Sequence, residues 1–225
     1  MNNKLVAVTI GDINGIGIEL LIKLWKLKKI KNFILITNYS LFNKYLKKKS
    51  IKLPIKIIKK NEIKYLLYSA NFFIFNINAK NNIENTYLSL IQSYKLNVEK
   101  YCNAIITLPL NKSKIIKYLD KNFMGQTEFF QKLDKKNTSN MIFYSKKLIV
   151  LSLTTHISIK AINNILNKKN YIYNKIKLLL KTLETDFKIN KPKIVISGIN
   201  PHAGECGTIG KEEILYIKPA INKLK

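Results

Sequence analysis

The apolar positions of this chain fall in short blocks that switch between continuous runs and helical spacing. Residues 5–10 (LVAVTI) form a run of the length and composition of a buried strand. A glycine-bearing stretch follows, and then Leu20, Leu21, Leu24 and Leu27 recur at helical spacing, which predicts a helix over 19–28. The same alternation continues. It predicts strands over 32–37, 55–58, 72–77 and 104–107, the last of them central, and helices over 40–49 and 85–100. Residues 81–85 read as a loop. Beyond these, 141–145 and 148–153 predict a hairpin that turns at Ser145, Lys146 and Lys147. Helices are expected over 158–166 and 170–187, a strand over 193–197, and a helix over 210–224 interrupted by Pro219. Strands alternating with helices predict an α/β fold with a doubly wound, largely parallel sheet. No internal repeat or Pro/Ser-rich linker breaks the chain.

Length and composition narrow this picture. A chain of 225 residues with 47% hydrophobic content can bury the core of one large domain or two small ones. The first apolar run is too short for a signal segment and no stretch approaches membrane-spanning length, so the expectation is a cytoplasmic protein with no membrane partner. The formal charge of +27 is large, yet every basic residue is lysine. Lys, Asn and Ile are inflated together, a pattern of base composition acting on solvated positions. A specific nucleic-acid surface would use arginine, whose fork reads phosphate and guanine bidentately, together with interleaved aromatic platforms. Specific nucleic-acid binding is therefore not expected, and non-specific adhesion to polyanions at low salt is the alternative. Cys102 and Cys206 have no CxxC spacing. Cys102 reads as a buried thiol, and Cys206 either as a soft metal ligand or as filler in a tight loop.

Candidate chemistry gathers at strand ends. His156 and His202, the only histidines, each follow an apolar run, and two such residues can meet at the mouth of one parallel sheet. Their alternative reading is as polar strand-end residues bonded to local backbone. After the first strand, glycines fall at Gly11, Gly15 and Gly17, with Asp12 and Asn14 between them. Strand, glycine loop and helix let backbone N–H groups approach an anionic or polar ligand near the helix N-terminus, which makes these five residues cofactor-binding candidates. The spacing is neither a dinucleotide fingerprint nor a P-loop, and a tight turn explains the glycines as well. Asn111 and Lys112 follow the strand over 104–107 and would face the switch-point crevice, where a lysine can hold a phosphate. Gln126 and Thr127 stand at an exposed helix start. Asp12, Glu19 and Lys112 are candidate general bases by position alone.

Four stretches taken together resemble one family. They are residues 8–17 (VTIGDINGIG) with Glu19, residues 107–112 (TLPLNK), residues 125–129 (GQTEF), and residues 154–156 (TTH) with residues 198–205 (GINPHAGE). Their order and spacing are similar to the 4-hydroxythreonine-4-phosphate dehydrogenases of vitamin B6 (pyridoxal phosphate) biosynthesis. The resemblance implies an isocitrate/isopropylmalate-dehydrogenase-like α/β/α fold in two subdomains, placed at 1–120 and 121–225. It implies a homodimer with the active site in a cleft at the dimer interface. It also implies a divalent metal such as zinc, magnesium or cobalt on three histidines, two of which match His156 and His202. Gln126 and Thr127 match the family's substrate-binding His-Thr pair. The reaction implied is NAD- (or NADP-) dependent oxidation of 4-phosphooxy-L-threonine, followed by decarboxylation to 3-amino-2-oxopropyl phosphate. This sequence departs from the pattern in three ways: it carries no third histidine, Gln126 replaces the motif histidine, and the family's C-terminal part, which should supply strands to the first subdomain's sheet, is not matched, so a bare sheet edge is expected. Relative to the family the chain reads as truncated at the C-terminus. An inactive relative, or a dehydrogenase of a phospho-threonate or phospho-erythronate, are the alternatives.

Overall fold

A computed structural model describes residues 5–66 and 71–224. The chain divides into two units, Met1–Asp134 and Lys135–Lys225. In the first unit the elements are β1 (Val6–Thr9), α1 (Ile16–Lys26), β2 (Phe33–Thr37), α2 (Tyr39–Lys48), β3 (Ile55–Ile58), β4 (Phe72–Asn76), α3 (Asn82–Val98), β5 (Ala104–Thr107), α4 (Lys112–Tyr118) and α5 (Gln126–Leu133). The strands form one five-stranded sheet in the order β3-β4-β2-β1-β5, and every pair is parallel. The expected α/β fold with a parallel sheet is therefore present.

The alternation of side chains along each strand explains how both faces are covered. Val8, Phe33, Leu35, Phe72 and Ile74 pack on one face with Ile18, Leu21 and Ile22 of α1 and Phe42 and Leu46 of α2. Ala7, Ile34 and Ile36 pack on the other face with Leu96 of α3. All five residues of β2 are buried for this reason. Full burial of each such aliphatic or aromatic side chain contributes about 1.5–3 kcal/mol relative to exposure.

Two expectations are corrected here. The run 104–107 is not a central strand: among the described residues β5 pairs only with β1 and forms the sheet edge, where Ile106 is 52% exposed. An apolar run declares burial or pairing but not how many partners it finds. Residues 81–85 are not a loop either. Asn81 is the N-cap of α3, its side chain accepting from the Ile83 and Glu84 amides at 3.0 Å, and Glu84 reaches back to accept from the Lys80 amide at 2.6 Å. Asn at the cap with Glu three residues on is a helix-start pattern, and it outweighs the polarity of the stretch. One turn further in, the fully buried Asn85 accepts from the Asn38 amide at 2.7 Å and donates to the Thr37 hydroxyl at 3.0 Å. Asn38 in turn caps α2 and donates to the Ile77 carbonyl. This network ties the ends of β2 and β4 to the start of α3.

The second unit holds the antiparallel hairpin of β6 (Met141–Tyr144) and β7 (Ile149–Ser152), then α6 (Ile162–Leu166), α7 (Tyr171–Thr185) and α8 (Lys218–Leu224). The hairpin turns where expected, and the Ser145 hydroxyl accepts from the Leu148 amide at 3.0 Å. Leu166, Ile172, Ile176, Ile217 and Ala220 form its core. The strand expected over 193–197 is not one. The segment carries no secondary structure: Ile194 and Ile196 lie on the core and Val195 is 93% exposed, but it joins no sheet among the described residues. Periodicity sets which side is buried; a strand also needs a neighbour for its backbone. The helix expected over 210–224 is a π-turn at Glu213–Ile217 that passes into α8. Pro219 supplies the reason: it has no N–H to donate back one turn, and its ring crowds the carbonyl there, so the ladder widens. Among the described residues no helix is long and apolar enough to cross a membrane.

Cys102 is buried, and burial pushes its thiol up to about 11, whereas Cys206 is exposed. The thiolate is the reactive form, so the folded protein should react with a thiol reagent such as dithiobis-nitrobenzoate at Cys206 alone. Titration before and after denaturation checks this; rapid labelling of Cys102 in the folded chain would contradict it.

Candidate functional site

The carboxyl ends of β1 and β5 lie side by side, and the chain leaves them in different directions. From β1 it passes through α1 to β2; β5 is reached from β4 through α3 on the opposite face. This is the switch point at which open parallel sheets form a crevice. A cleft of about 430 Å³ opens there, lined by Asp12 and Asn14 from the β1–α1 loop, Asn81, Asn82 and Thr86 from the start of α3, and Asn111, Lys114 and Tyr118 from α4 and its cap.

Local chemistry fixes these groups. The Asp12 amide donates to the Pro109 carbonyl at 2.8 Å, which joins the two loops. The Asp12 carboxylate accepts from the Asn14 amide, and Asn111 caps α4 by accepting from the Lys114 amide. Thr86 donates to the Gly11 carbonyl at 2.6 Å. The Asn14 amide of the loop, the Ile83 and Glu84 amides of α3 and the Lys114 amide of α4 are thus already engaged by side chains. Asn14, Asn82, the Lys114 ammonium and the Tyr118 ring are what remains to meet a ligand. The cleft suits a polar group offering several hydrogen bonds more than a bare polyanion.

The sequence candidates divide around this cleft. Asp12 and Asn14 line it, and Gly11, Gly15 and Gly17 shape the loop that carries them. Lys112 is exposed as the first residue of α4 and does not line it; Lys114, two residues on, does. Glu19 lines a different hollow with Lys23, Lys26 and Lys49. Its carboxyl is held below the ordinary range by the hydrogen bond from Lys49 at 2.8 Å, which weakens it as a base. Asn81, Asn82, Thr86, Lys114 and Tyr118 were not singled out from sequence. The cap pattern at Asn81 and Glu84 was the available signal for the first two.

Gln126 begins α5. Its amide donates to the Leu108 carbonyl at 3.1 Å and accepts from the Thr107 hydroxyl at 3.2 Å, so both ends are bound to the end of β5. Thr127 beside it is exposed.

The histidines do not stand at the mouth of a parallel sheet. Both are exposed; His156 lies four residues past β7, in a left-handed conformation, and His202 follows the unpaired segment. The loop around His202 is unusual. Ala203, Gly204, Glu205, Cys206 and Gly207 all have positive φ. Each non-glycine residue so held costs about 1–2 kcal/mol, a cost concentrated where the side chains are placed for use. His202 Nδ1 sits 3.0 Å from Glu205 Oε1. A carboxylate there favours the proton on Nδ1 and leaves Nε2 as the free donor atom. Imidazole is the right donor type for a divalent metal. Among the described residues, however, no three His, Cys, Asp or Glu side chains converge to hold one. The donor set present does not complete a three-ligand site, and no chemical step is derived through a metal here.

Comparison with known proteins decides the relationship. Residues 29–225 match the family model described as pyridoxal phosphate biosynthetic protein PdxA. The chain belongs to the PdxA family. It is similar to the 4-hydroxythreonine-4-phosphate dehydrogenase of Wigglesworthia glossinidia brevipalpis, 32% identical over 98% of this chain and 69% of that protein. It is similar to that of Aquifex aeolicus, 33% identical over 99% of this chain and 71% of the relative. The fold aligns with the crystal structure of the Klebsiella pneumoniae 4-hydroxythreonine-4-phosphate dehydrogenase at a TM-score of 0.87, with 26% identity, over 98% of this chain and 71% of that one. The alignment supports the isocitrate-dehydrogenase-like architecture of the PdxA family for the whole described chain.

Proposed function

We propose that the chain takes part in the NAD-dependent oxidation of 4-phosphooxy-L-threonine at its C3 hydroxyl. The carbon loses a hydride and the hydroxyl a proton, giving 2-amino-3-oxo-4-phosphooxybutanoate. This β-keto acid then loses CO₂ to give 3-amino-2-oxopropyl phosphate. The observation that carries the reading is a PdxA-family match running from residue 29 to residue 225, with relatives of that activity aligned over nearly the whole chain.

The residues take roles on this reading. Asp12, Asn14, Asn82 and Lys114 would hold part of the nicotinamide cofactor in the switch-point cleft; NAD, when bound, takes the hydride. Thr127, exposed at the start of α5, would meet the substrate phosphate with its hydroxyl, and Gln126 would fix that helix start against Leu108 and Thr107. His156 and His202 would contribute to a metal site completed from outside the described residues.

Purified chain incubated with 4-phosphooxy-L-threonine, NAD and zinc, magnesium or cobalt should form NADH, and His202→Ala should abolish the signal. A rate no higher than that of the His202→Ala control would sink the proposal. Phospho-threonate and phospho-erythronate belong in the same assay; turnover with these alone would move the substrate assignment.

A second reading has its own support: turnover requires further polypeptide. Among the described residues, no hydrogen bond to the backbone of 193–197 is formed, and three metal donors do not converge. The chain also spans only 69–71% of the length of the two relatives above. On this reading the amides of 193–197 exchange with solvent at near free-peptide rates in the isolated chain. They should slow when the unmatched part of the Aquifex relative is added in trans. Protection already present in the isolated chain would count against it.

A further inference from the structure

Glu213 is the only Asp, Glu or Lys side chain that is buried among the described residues, at 8% exposure. It starts the π-turn that leads into α8. One carboxylate oxygen, Oε1, accepts from the Ile199 amide at 2.9 Å. The other, Oε2, is buried without a hydrogen-bond partner. It rests against Gly204, where a Cβ would come within 2.9 Å of it and within 2.5 Å of the Gly210 carbonyl.

These contacts fall at the two ends of one loop. Ile199 is where the chain leaves the unpaired segment, and Gly204 begins the turn after His202. Between them the loop is held by its own atoms: Asn200 Oδ1 accepts from the His202 amide at 2.9 Å, and the Asn200 carbonyl from the Ala203 amide at 3.1 Å. Such bonds set the internal shape of a loop but do not fix it to the body of the protein. Glu213 is on a helical turn whose next buried residue, Ile217, belongs to the core of the second unit. It is therefore a fastening between that core and the loop. A buried carboxylate with an unsatisfied oxygen opposes folding. Its persistence here points to what it holds.

We infer that Glu213 is the positioning residue of the His202 loop, holding Ile199 at its entry and Gly204 at its turn so that the imidazole is presented in one place. The inference rests on the function proposed above for His202, but its test uses neither substrate nor cofactor. It should be made in the full chain carrying His156→Ala, which leaves His202 as the only histidine. Glu213→Ala removes the acceptor for the Ile199 amide. Amides of 199–207 should then exchange about tenfold to a hundredfold faster, as expected for loss of a hydrogen bond to a charged group. The rate of His202 carbethoxylation by diethyl pyrocarbonate should change severalfold, while exchange in α7 stays at its original rate. Glu213→Gln keeps an oxygen acceptor in the same place and should restore both readouts.

Loop exchange and His202 reactivity unchanged in Glu213→Ala would overturn the inference. So would faster exchange spread evenly through α7 and α8, which would mark a general structural role. If Glu213→Ala does not fold, Gly204→Ala tests the other contact. It drives a methyl group against the carboxylate and should alter His202 reactivity, and an unaltered rate overturns the inference. A chain that forms no NADH yet shows the loop response retains the positioning role and loses only the dehydrogenase reading.

Discussion

Phe72→Ala is expected to destabilise the first unit by about 4 kcal/mol, near the upper end for a core truncation. Phe72 opens β4, is fully buried, and is the ring around which the aromatic side chains of three other elements assemble. Trp25 of α1 and Phe33 of β2 meet it edge-on, at centroid distances of 5.5 and 5.3 Å, and Phe42 of α2 stacks on it at 6.0 Å. Aromatic pairs contribute about 0.5–1.5 kcal/mol each beyond the area they bury. The alanine would leave a cavity bordered by three rings on three separate elements, which cannot all close in without dragging α1 and α2 along the sheet. Phe72→Leu keeps most of the volume and should cost clearly less, about 1.5 kcal/mol. Trp25 is the sole tryptophan, so its fluorescence during urea denaturation reports this unit and not the other. A loss below about 1 kcal/mol for the alanine variant would show that the cluster does not carry the sheet–helix packing.

The strands in that core were legible in the sequence because burial on both faces leaves a plain trace. Residues 33–36 are apolar without interruption, and all are buried. The residues 104–107 leave the same trace, yet β5 is an edge. The segment 193–197 keeps the in-and-out alternation of a strand, without a ladder among the described residues. In both cases the missing information is long-range: side-chain periodicity records which way each residue faces, whereas pairing depends on what other stretch arrives alongside. The helix start at Asn82 was local and readable, since Asn81 and Glu84 carry the capping chemistry; the polar composition obscured it. The shift from Lys112 to Lys114 in the cleft is a matter of helical phase. Once Asn111 caps α4, the residue three positions on shares its side of the helix, and the one immediately after does not. The histidines were found by type and by family likeness. Their surroundings were not legible: neither the Glu205 carboxylate 3.0 Å from His202 Nδ1 nor the buried Glu213 has any periodic signature.

Gly11→Ala should cost about 3 kcal/mol and weaken the switch-point cleft at the same time, although it removes no side chain that could touch a ligand. Gly11 has a φ of 62°, in the region that side chains with a Cβ avoid, at about 1–2 kcal/mol. The space is also taken: an added Cβ would stand 2.5 Å from the Pro109 carbonyl and 2.9 Å from the Leu108 side chain. Neither is the loose end of a flexible group, so the β1–α1 loop must move away from the loop after β5. That motion pulls on the 2.8 Å bond from the Asp12 amide to Pro109 and on the Thr86 hydroxyl bonded to the Gly11 carbonyl. Asp12, Asn111 and Thr86 all line the cleft, so NAD affinity should fall together with stability. Gly15→Ala provides the contrast in the same loop. Gly15 is extended, with φ −91° and ψ 172°, and an added Cβ would approach only Asp12, its carbonyl at 3.2 Å and its Cβ at 3.5 Å. Its cost should stay below about 1 kcal/mol, the range of ordinary surface substitutions and weak caps. Urea denaturation and NAD titration of the two variants separate the explanations for this glycine-rich loop. Equal losses of affinity at both positions would mean that the ligand itself needs the bare backbone. Loss at Gly11 alone would mean that the first glycine is there for Pro109, and that the cleft is a consequence of how closely two strand ends are packed.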